Sequence, residues 1–187
     1  MKKYLLICFS LFTLSSSLLA QSWLWGAQGI GALKSNANGG IVATDKDGNS
    51  YMAGNYESTI TFGTFTLNTN YDNVYLVKYN SLGIVQWATQ PGYTSNSASY
   101  ATSITTDVSG NIYITGNFTE TITFGSFVLY APSGSNSVFI AKYNSLGTVL
   151  WAKQSNNSSG IDLGTSVITD KRGNAYICGN FSGTMVL

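Results

Sequence analysis

The residues best suited to chemistry early in the chain are the oxygen donors Asp45, Asp47 and Asn49, which alternate along the sequence. Alternating carboxylate and amide oxygens can surround a hard cation such as Ca²⁺, which takes six or more oxygen ligands. In two later copies of this segment, however, Ser109 and Arg172 stand where Asp47 stands. We therefore predict no metal site and keep the three residues as candidate cation ligands.

Catalytic groups are scarce. The chain contains no histidine, which excludes a Ser-His-Asp triad, a Cys-His pair and a histidine zinc site. Glu57 and Glu120 could supply the two carboxylates of a glycosidase, but they are one register apart in the repeat, because Glu57 aligns with Thr119. Single acids on a loop are usually solvated. We predict no catalytic residue, no cofactor and no enzymatic activity.

Ligand contacts are expected where otherwise similar segments differ. The stretches from Pro91 and from Ser155 do not match each other, and neither do those from Asn68 and from Tyr130. Variable loops on a rigid scaffold commonly carry recognition. The candidate contacts to an unknown protein or glycan are Tyr93, Asn96, Tyr100, Asn157 and Asp162.

These residues are set within internal repeats. The segments DKDGNSYMAGNY, DVSGNIYITGNF and DKRGNAYICGNF start at Asp45, Asp107 and Asp170, with offsets of 107 − 45 = 62 and 170 − 107 = 63. The string KYNSLG occurs at 78–83 and again at 142–147. Such periods indicate a repeat architecture.

Five segments share one pattern, with Asp or Asn first and Gly fourth. Asp or Asn favours the first position of a type I turn, and Gly readily takes the left-handed conformation that follows it. We interpret the segments, KYNSLG included, as structural hairpin turns with a bulge. The turn residues are Asp45, Gly48, Asn80, Gly83, Asp107, Gly110, Asn144, Gly147, Asp170 and Gly173.

Short runs rich in Ile, Val, Tyr and Phe lie between these turns, which predicts strands rather than helices. For the second repeat we expect strands at 102–106, 111–116, 138–143 and 148–154, with a hairpin at 121–129. Four consecutive antiparallel strands per period form one blade of a β-propeller. Runs such as VFIA are apolar on both faces, as expected for a blade between two others. A two-sheet sandwich remains the alternative.

The succession D-x-x-G-N-x-Y-x-x-G-N-F, T-I-T-F-G, A-K-Y-N-x-L-G and W-A-K-Q resembles the bacterial SBBP-type β-propeller repeat, frequent in secreted proteins of the Bacteroidetes. The resemblance implies a propeller and an exported or surface location, but no particular activity. Under this interpretation, periodic Trp87 and Trp151 pack between blades, Lys78 and Lys142 extend their ammonium groups into water, and Cys178 is a small buried core residue.

The domain interpretation starts with residues 1–20, where two lysines precede an apolar run that ends in small residues, as in a secretory signal peptide. Residues 21–40 are expected to form a closing outer strand and a loop, 41–101 blade 1, 102–165 blade 2 and 166–187 a truncated blade 3. We predict secretion to the extracellular space or cell surface, with no membrane span. Seven basic residues against eight acidic ones after residue 20 give no case for nucleic acid.

Two full units and two part-units cannot close a ring, because propellers need about four blades. We therefore expect an N-terminal fragment of a longer propeller, whose partners are its remaining blades, or a chain that self-associates. The predicted function is a non-catalytic protein- or glycan-binding scaffold. The alternatives are a fragment of an enzyme that acts on polysaccharide and a truncated gene product without independent function.

Overall fold

Strand formation follows from short β-branched and aromatic runs, and five of these strands are followed by an Asp/Asn-x-x-Gly turn. The computed structural model describes residues 29–31, 37–94, 97–155 and 160–180. Within these ranges the secondary structure is all β, and no helix is present that could cross a membrane. The strands of the described residues are β1 (Ile30–Gly31), β2 (Ala37–Thr44), β3 (Ser50–Tyr56), β4 (Thr59–Phe62), β5 (Phe65–Asn68), β6 (Asn73–Tyr79), β7 (Val85–Thr89), β8 (Gly92–Tyr93), β9 (Ser99–Thr106), β10 (Ile112–Phe118), β11 (Thr121–Phe124), β12 (Phe127–Tyr130), β13 (Ser137–Tyr143), β14 (Val149–Gln154), β15 (Leu163–Thr169) and β16 (Ala175–Asn180).

The strands form separate antiparallel blades, which confirms the predicted propeller class over the two-sheet sandwich. Blade 1 has the order β2-β3-β6-β7 and blade 2 the order β9-β10-β13-β14, while β15 and β16 pair as the described part of blade 3. Inner strands β2 and β9 begin at Ala37 and Ser99, ahead of residues 41 and 102, where the repeats suggested that the blades start. Residues 1–28 and 181–187, including the predicted signal peptide, lie outside the described residues.

Each full blade also carries a small hairpin sheet. Strand β4 pairs with both β5 and β1, and β11 pairs with both β12 and β8, the short strand that follows blade 1. The side chains of Ile122 and Phe124 from the second hairpin are buried with Phe139 of blade 2 and Leu76 of blade 1. The hairpin therefore fills the space between neighbouring blades.

Burial on both sides explains why the central strands are apolar throughout. In β13, Val138, Phe139, Ile140 and Ala141 are all buried although their side chains alternate between the two faces. One core cluster joins blades 1 and 2, and a second, containing Tyr113, joins blade 2 to blade 3. We call the side of a blade that faces the preceding blade its front face and the opposite side its back face.

The chain path divides the loops between two ends of the blades. The five Asp/Asn-x-x-Gly turns follow β2, β6, β9, β13 and β15 at one end, which we call the turn face. The connections 69–72 and 131–136, together with the described residues 90–94, 97–98, 155 and 160–162, lie at the other end, which we call the link face. Blades 1 and 2 thus present repeated turns at one end and dissimilar connections at the other.

Trp87 and Lys78 contact the next blade, whereas Lys142 contacts its own blade. Trp87 Nε1 and Lys78 Nζ both donate hydrogen bonds to the Ser145 carbonyl oxygen, at 3.2 and 3.1 Å. Lys142 Nζ lies 3.5 Å from a carboxylate oxygen of Asp107 and 4.8 Å from the ring centroid of Tyr113. The expectation that both ammonium groups extend into water is therefore wrong, because a carbonyl, a carboxylate and aromatic faces surround them.

Candidate functional site

The turn face is built from one hydrogen-bond pattern used five times. In blade 2 the Gly110 N–H donates to the Asp107 carbonyl at 3.0 Å, and Gly110 has a φ of 77°. One Asp107 carboxylate oxygen accepts the Ser109 and Asn111 backbone N–H groups, both at 2.9 Å. The other accepts the Asn111 side-chain amide at 2.8 Å and the Tyr113 hydroxyl at 3.0 Å. The motif D-x-x-G-N-x-Y is therefore a turn closed by its own first side chain.

Asp45 and Asp170 make the same four contacts in their turns. Partial burial favours the protonated form of Asp45 and Asp107, but the hydrogen bonds outweigh it and lower the pKa of both carboxyls. At Asp170, hydrogen bonds led by that from the Asn174 side chain lower the pKa. These three carboxylates are held in their charged form by the turns themselves.

The asparagine turns, which contain KYNSLG, follow the same design. The Asn80 side-chain oxygen accepts the Leu82 and Ile84 N–H groups at 3.0 and 2.9 Å, and Asn144 does the same for Leu146 and Thr148. Gly83 and Gly147 have φ values of 77° and 83°. The sequence repeats here because hairpin closure requires the same two residues in each blade.

The candidate cation ligands are already engaged in such a turn. Both carboxylate oxygens of Asp45 accept hydrogen bonds from the turn, and the Asn49 side chain donates its amide N–H to Asp45 instead of presenting its oxygen. Asp47 Oδ1 accepts from Lys46 Nζ at 2.9 Å. Among the described residues there is no group of three or more His, Cys, Asp or Glu side chains arranged to hold a metal.

The link face brings two of the predicted ligand contacts to one short loop. The Tyr93 hydroxyl accepts a hydrogen bond from the Asn70 N–H at 3.1 Å, and its ring lies edge-on to that of Tyr71, with centroids 6.0 Å apart. The Tyr100 hydroxyl donates to Asp72 Oδ2 at 2.9 Å. Loop 69–72 therefore lies between Tyr93 and Tyr100, and we call Tyr71, Asp72, Tyr93 and Tyr100 the tyrosine patch.

The loop itself is fixed by hydrogen bonds within blade 1 and to the next link. The Thr69 hydroxyl donates to the Tyr71 carbonyl at 2.8 Å, and the Asp72 carbonyl accepts the Ser99 N–H at 2.9 Å. Beneath it, Asn73 donates its side-chain amide to the Pro91 carbonyl at 3.0 Å. The tyrosine patch is therefore held on a rigid base.

Charge at the patch is negative. Burial, the hydrogen bond to Asp72 and the charges of Asp72 and Glu57 together raise the pKa of Tyr100 to about 12. Tyr100 is therefore a neutral hydrogen-bond donor at ordinary pH, with 38% of its surface exposed. The sequence interpretation did not select Tyr71 or Asp72, although both lie in the segment from Asn68 that differs between repeats.

The other predicted contacts do not join the patch. Asp162 is 1% exposed and accepts a hydrogen bond from the Ser155 hydroxyl at 3.0 Å, so its carboxylate is buried in the link instead of being presented to a ligand. Asn96 and Asn157 lie outside the described residues. Of the predicted ligand contacts among the described residues, only Tyr93 and Tyr100 lie at the tyrosine patch, which is centred on blade 1.

The remaining reactive groups are dispersed. Glu57 is exposed, and Glu120 is half-buried at a backbone φ of 55°. The prediction that Cys178 is buried is wrong: it is exposed, whereas the equivalent Ala53 and Thr115 are fully buried. The difference arises because no described blade covers the back face of blade 3.

A cleft of about 310 Å³ lies where the end of β7 meets the hairpin of blade 2. Its walls include Phe124, Tyr143 and Gln90. The Gln90 amide is already bonded, accepting the Tyr56 hydroxyl and donating to the Asn68 carbonyl. The cleft mixes polar and apolar side chains, and no Asp, Glu, Lys or Arg lines it.

Comparison with known proteins agrees with this architecture. A family described as SBBP, beta-propeller repeat, matches residues 86–117, from β7 across the link to β10. A segment of an uncharacterized WD repeat-containing protein of Acanthamoeba polyphaga mimivirus is 44% identical over 90 residues. That alignment covers 44% of this chain but 6% of the viral protein. The chain is thus similar to propeller repeat proteins along part of its length.

Proposed function

We propose that this chain is a secreted, non-catalytic propeller module that binds a glycan through the tyrosine patch on its link face. The observation that carries the proposal is the convergence of Tyr71, Tyr93 and Tyr100 around Asp72 on a loop that differs between the repeats. Repeat architectures present extended surfaces that are commonly used for binding, and the SBBP match supports a scaffold role.

Glycan recognition fits the chemistry of the patch. Aromatic side chains pack against the apolar C–H surfaces of sugars, while carboxylates accept hydrogen bonds from sugar hydroxyls. The patch offers tyrosine rings in two orientations together with Asp72, and the exposed carboxylate of Glu57 acts electrostatically on Tyr100. Its negative charge favours neutral glycans over acidic ones.

Binding can be tested with purified chain on an array of neutral and acidic glycans and by affinity electrophoresis in polysaccharide gels. We expect Tyr93→Ala and Tyr71→Ala to weaken binding about tenfold or more, which corresponds to about 1.4 kcal/mol. The matched control is Tyr130→Ala, because Tyr130 is 65% exposed on β12 and only its backbone bonds to Gln154.

Equal glycan affinity of the Tyr93→Ala and Tyr130→Ala variants would show that the tyrosine patch is not the binding site. If the chain binds no glycan but retains a protein from the extracellular medium of the cells that express it, the patch would instead be a site for a protein partner. Release of new reducing ends from a bound polysaccharide would contradict the non-catalytic role.

Export is a separate part of the proposal. Residues 1–20 support it by composition, with Lys2 and Lys3 ahead of an apolar run. Expression of the full chain in a secreting host, followed by mass spectrometry of the extracellular protein, should give an N-terminus at Gln21. Recovery of the chain only inside the cell, with Met1 or Lys2 retained, would contradict export.

A further inference from the structure

Equivalent side chains in the three blades differ sharply in exposure. Val42, Ile104 and Val167 occupy the same front-face position of the inner strands and are 60%, 8% and 3% exposed. On the back face, Tyr51 and Tyr113 are fully buried, whereas the equivalent Tyr176 is 54% exposed. Among the described residues, Val42 on the front face of blade 1 and the apolar back face of blade 3 are therefore uncovered, whereas the other apolar front-face side chains of blade 1, such as Tyr75 and Val77, are buried against its own hairpin.

The uncovered surfaces have the features of the two sides of an interface that the molecule already contains. Where blade 2 packs on blade 1, Ile104 and Phe124 of one front face meet Tyr51 and Leu76 of a back face. At the position of Ile104 the front face of blade 1 presents the exposed Val42, whereas Phe62, the equivalent of Phe124, is already buried in the blade 1 cluster. The back face of blade 3 presents Ile168 and Tyr176, and Ile168 is 61% exposed. The exposed Val42 and Tyr176 therefore occupy positions whose equivalents, Ile104 and Tyr51, share one core cluster where blade 2 packs on blade 1.

A repeated hydrogen bond gives these surfaces a register. The Thr106 hydroxyl donates to the Thr44 carbonyl at 2.8 Å, and the Thr169 hydroxyl donates to the Thr106 carbonyl at 3.0 Å. The Tyr113 hydroxyl likewise donates to the Gly173 carbonyl of the following blade at 3.1 Å. Continued by one step, the series pairs the Thr44 hydroxyl with the Thr169 carbonyl and the Tyr176 hydroxyl with the Gly48 carbonyl.

We propose that a second copy of this chain docks head to tail, with the front face of its blade 1 on the back face of blade 3. The occupant is a second copy because blade 1 carries both the apolar side chains and the turn groups that continue the internal interface. Such a contact is heterologous, so it closes into a ring or extends into a filament according to the rotation it imposes.

Cysteine cross-linking tests the proposed register directly. Within the chain, the Thr115 hydroxyl oxygen lies 3.0 Å from the position that a Cβ on Gly164 would occupy. Cys178 is equivalent to Thr115, since 178 − 115 = 63, and Gly39 is equivalent to Gly164 two repeats earlier, since 164 − 39 = 125. In the proposed contact Cys178 therefore lies within disulfide distance of Gly39→Cys of the second copy, where Cβ atoms about 3.5–4.5 Å apart are required.

The full chain carrying Gly39→Cys in a Cys8→Ser background should form covalent dimers or longer chains on mild oxidation. The same variant with Cys178→Ser should not. An intrachain control combines Thr115→Cys, Gly164→Cys and Cys178→Ser in the same background, with Val138→Ala because a Val138 methyl lies 2.8 Å from the new Cβ. Closure of the control without any covalent dimer from Gly39→Cys would overturn the proposal.

Sedimentation velocity supplies a readout without cysteines. We expect the unmodified chain to sediment with a mass above that of a monomer and the Ile168→Asp variant to sediment as a monomer. Because Ile168 is 61% exposed, a charge there should disrupt the contact between copies with little effect on folding. Leu146→Asp is the matched control, because Leu146 is 78% exposed on a turn outside both surfaces. A monomeric unmodified chain, or equal loss of association in the two variants, would contradict the proposal.

Discussion

The turn face and the link face of the same blades are built on opposite rules. On the turn face Asp45, Asp107 and Asp170 make one set of contacts in three blades. On the link face, Ser99 and Asp162 occupy equivalent, buried positions, yet Ser99 donates to Asn73 and Asp162 accepts from Ser155. Closure of the hairpin turn tolerates few residue types. A link requires only that its buried polar groups find hydrogen-bond partners, and different residues can meet that requirement.

Acid should affect the turn face most, because it acts on three carboxylates at once. Their folded-state pKa values are depressed, so the stabilisation is present above the unfolded pKa of about 3.9 and is lost as pH falls through the folded values. We expect the free energy of unfolding by urea to decline below about pH 4. The triple variant Asp45→Asn, Asp107→Asn and Asp170→Asn should lose most of this dependence.

A single turn carboxylate should reveal the contribution of blade packing. Asp107 is 7% exposed and lies beside Lys142, whereas Asp170 makes the same local bonds in an exposed turn. Asp107→Ala leaves buried donors and a lysine without their acceptor, so we expect a loss of about 2–4 kcal/mol in urea unfolding. Asp170→Ala should cost clearly less. Equal losses would show that the turn acts alone and that its burial between blades is unimportant.

Substitutions at two glycines can distinguish the energetic effect of the turn conformation from that of the contact with the neighbouring blade. Gly110 and Gly147 have φ values of 77° and 83°, but a Cβ on Gly110 meets nothing within 4 Å, while one on Gly147 lies 3.1 Å from the Trp87 ring. Gly110→Ala should cost about 1–2 kcal/mol, from the left-handed backbone alone. Gly147→Ala should cost more, and its excess should disappear in a Trp87→Ala background. A persistent excess would place its cause outside the Trp87 contact.

The repeated features of the fold could be predicted from the sequence because each arises from a local rule. Aspartate or asparagine followed by glycine three residues later fixes a turn, and apolar runs fix the central strands, so the four-stranded blades followed directly. The inner strands were harder to delimit, because β9 begins at Ser99 within a polar segment and its limit depends on pairing with Phe118.

The candidate site was less predictable because it depends on contacts between dissimilar loops. Tyr93 and Tyr100 could be selected as residues of a variable segment, but their common partner, loop 69–72, is more than twenty positions away along the chain. Asp162 could not be assigned from its polarity, since its burial depends on Ser155 and the folded link. Lys78 and Lys142 were misplaced for the same reason: their acceptors belong to other strands and blades.

At one position of the link face, the backbone conformation repeats between blades although the side chains differ. Ser58 and Glu120 have φ values of 76° and 55°, and their carbonyls accept the Thr69 and Ala131 N–H groups at 2.8 and 2.7 Å. The sequence has Gly183 at the third equivalent position, since 183 − 120 = 63. A residue other than glycine is sterically strained in the left-handed conformation, and the surrounding hydrogen bonds hold it there.

Glu120→Gly should therefore stabilise the chain by about 0.5–1 kcal/mol in urea unfolding, with relief of backbone strain partly offset by greater freedom of the unfolded chain. Glu120→Ala is the control, because alanine removes the carboxylate but keeps the Cβ, and we expect no stabilisation from it. Equal gains from both substitutions would mean that the glutamate side chain is unfavourable there and that the backbone is not strained. A gain from glycine alone would show that the two faces differ in side chains while sharing the backbone constraints of the blade.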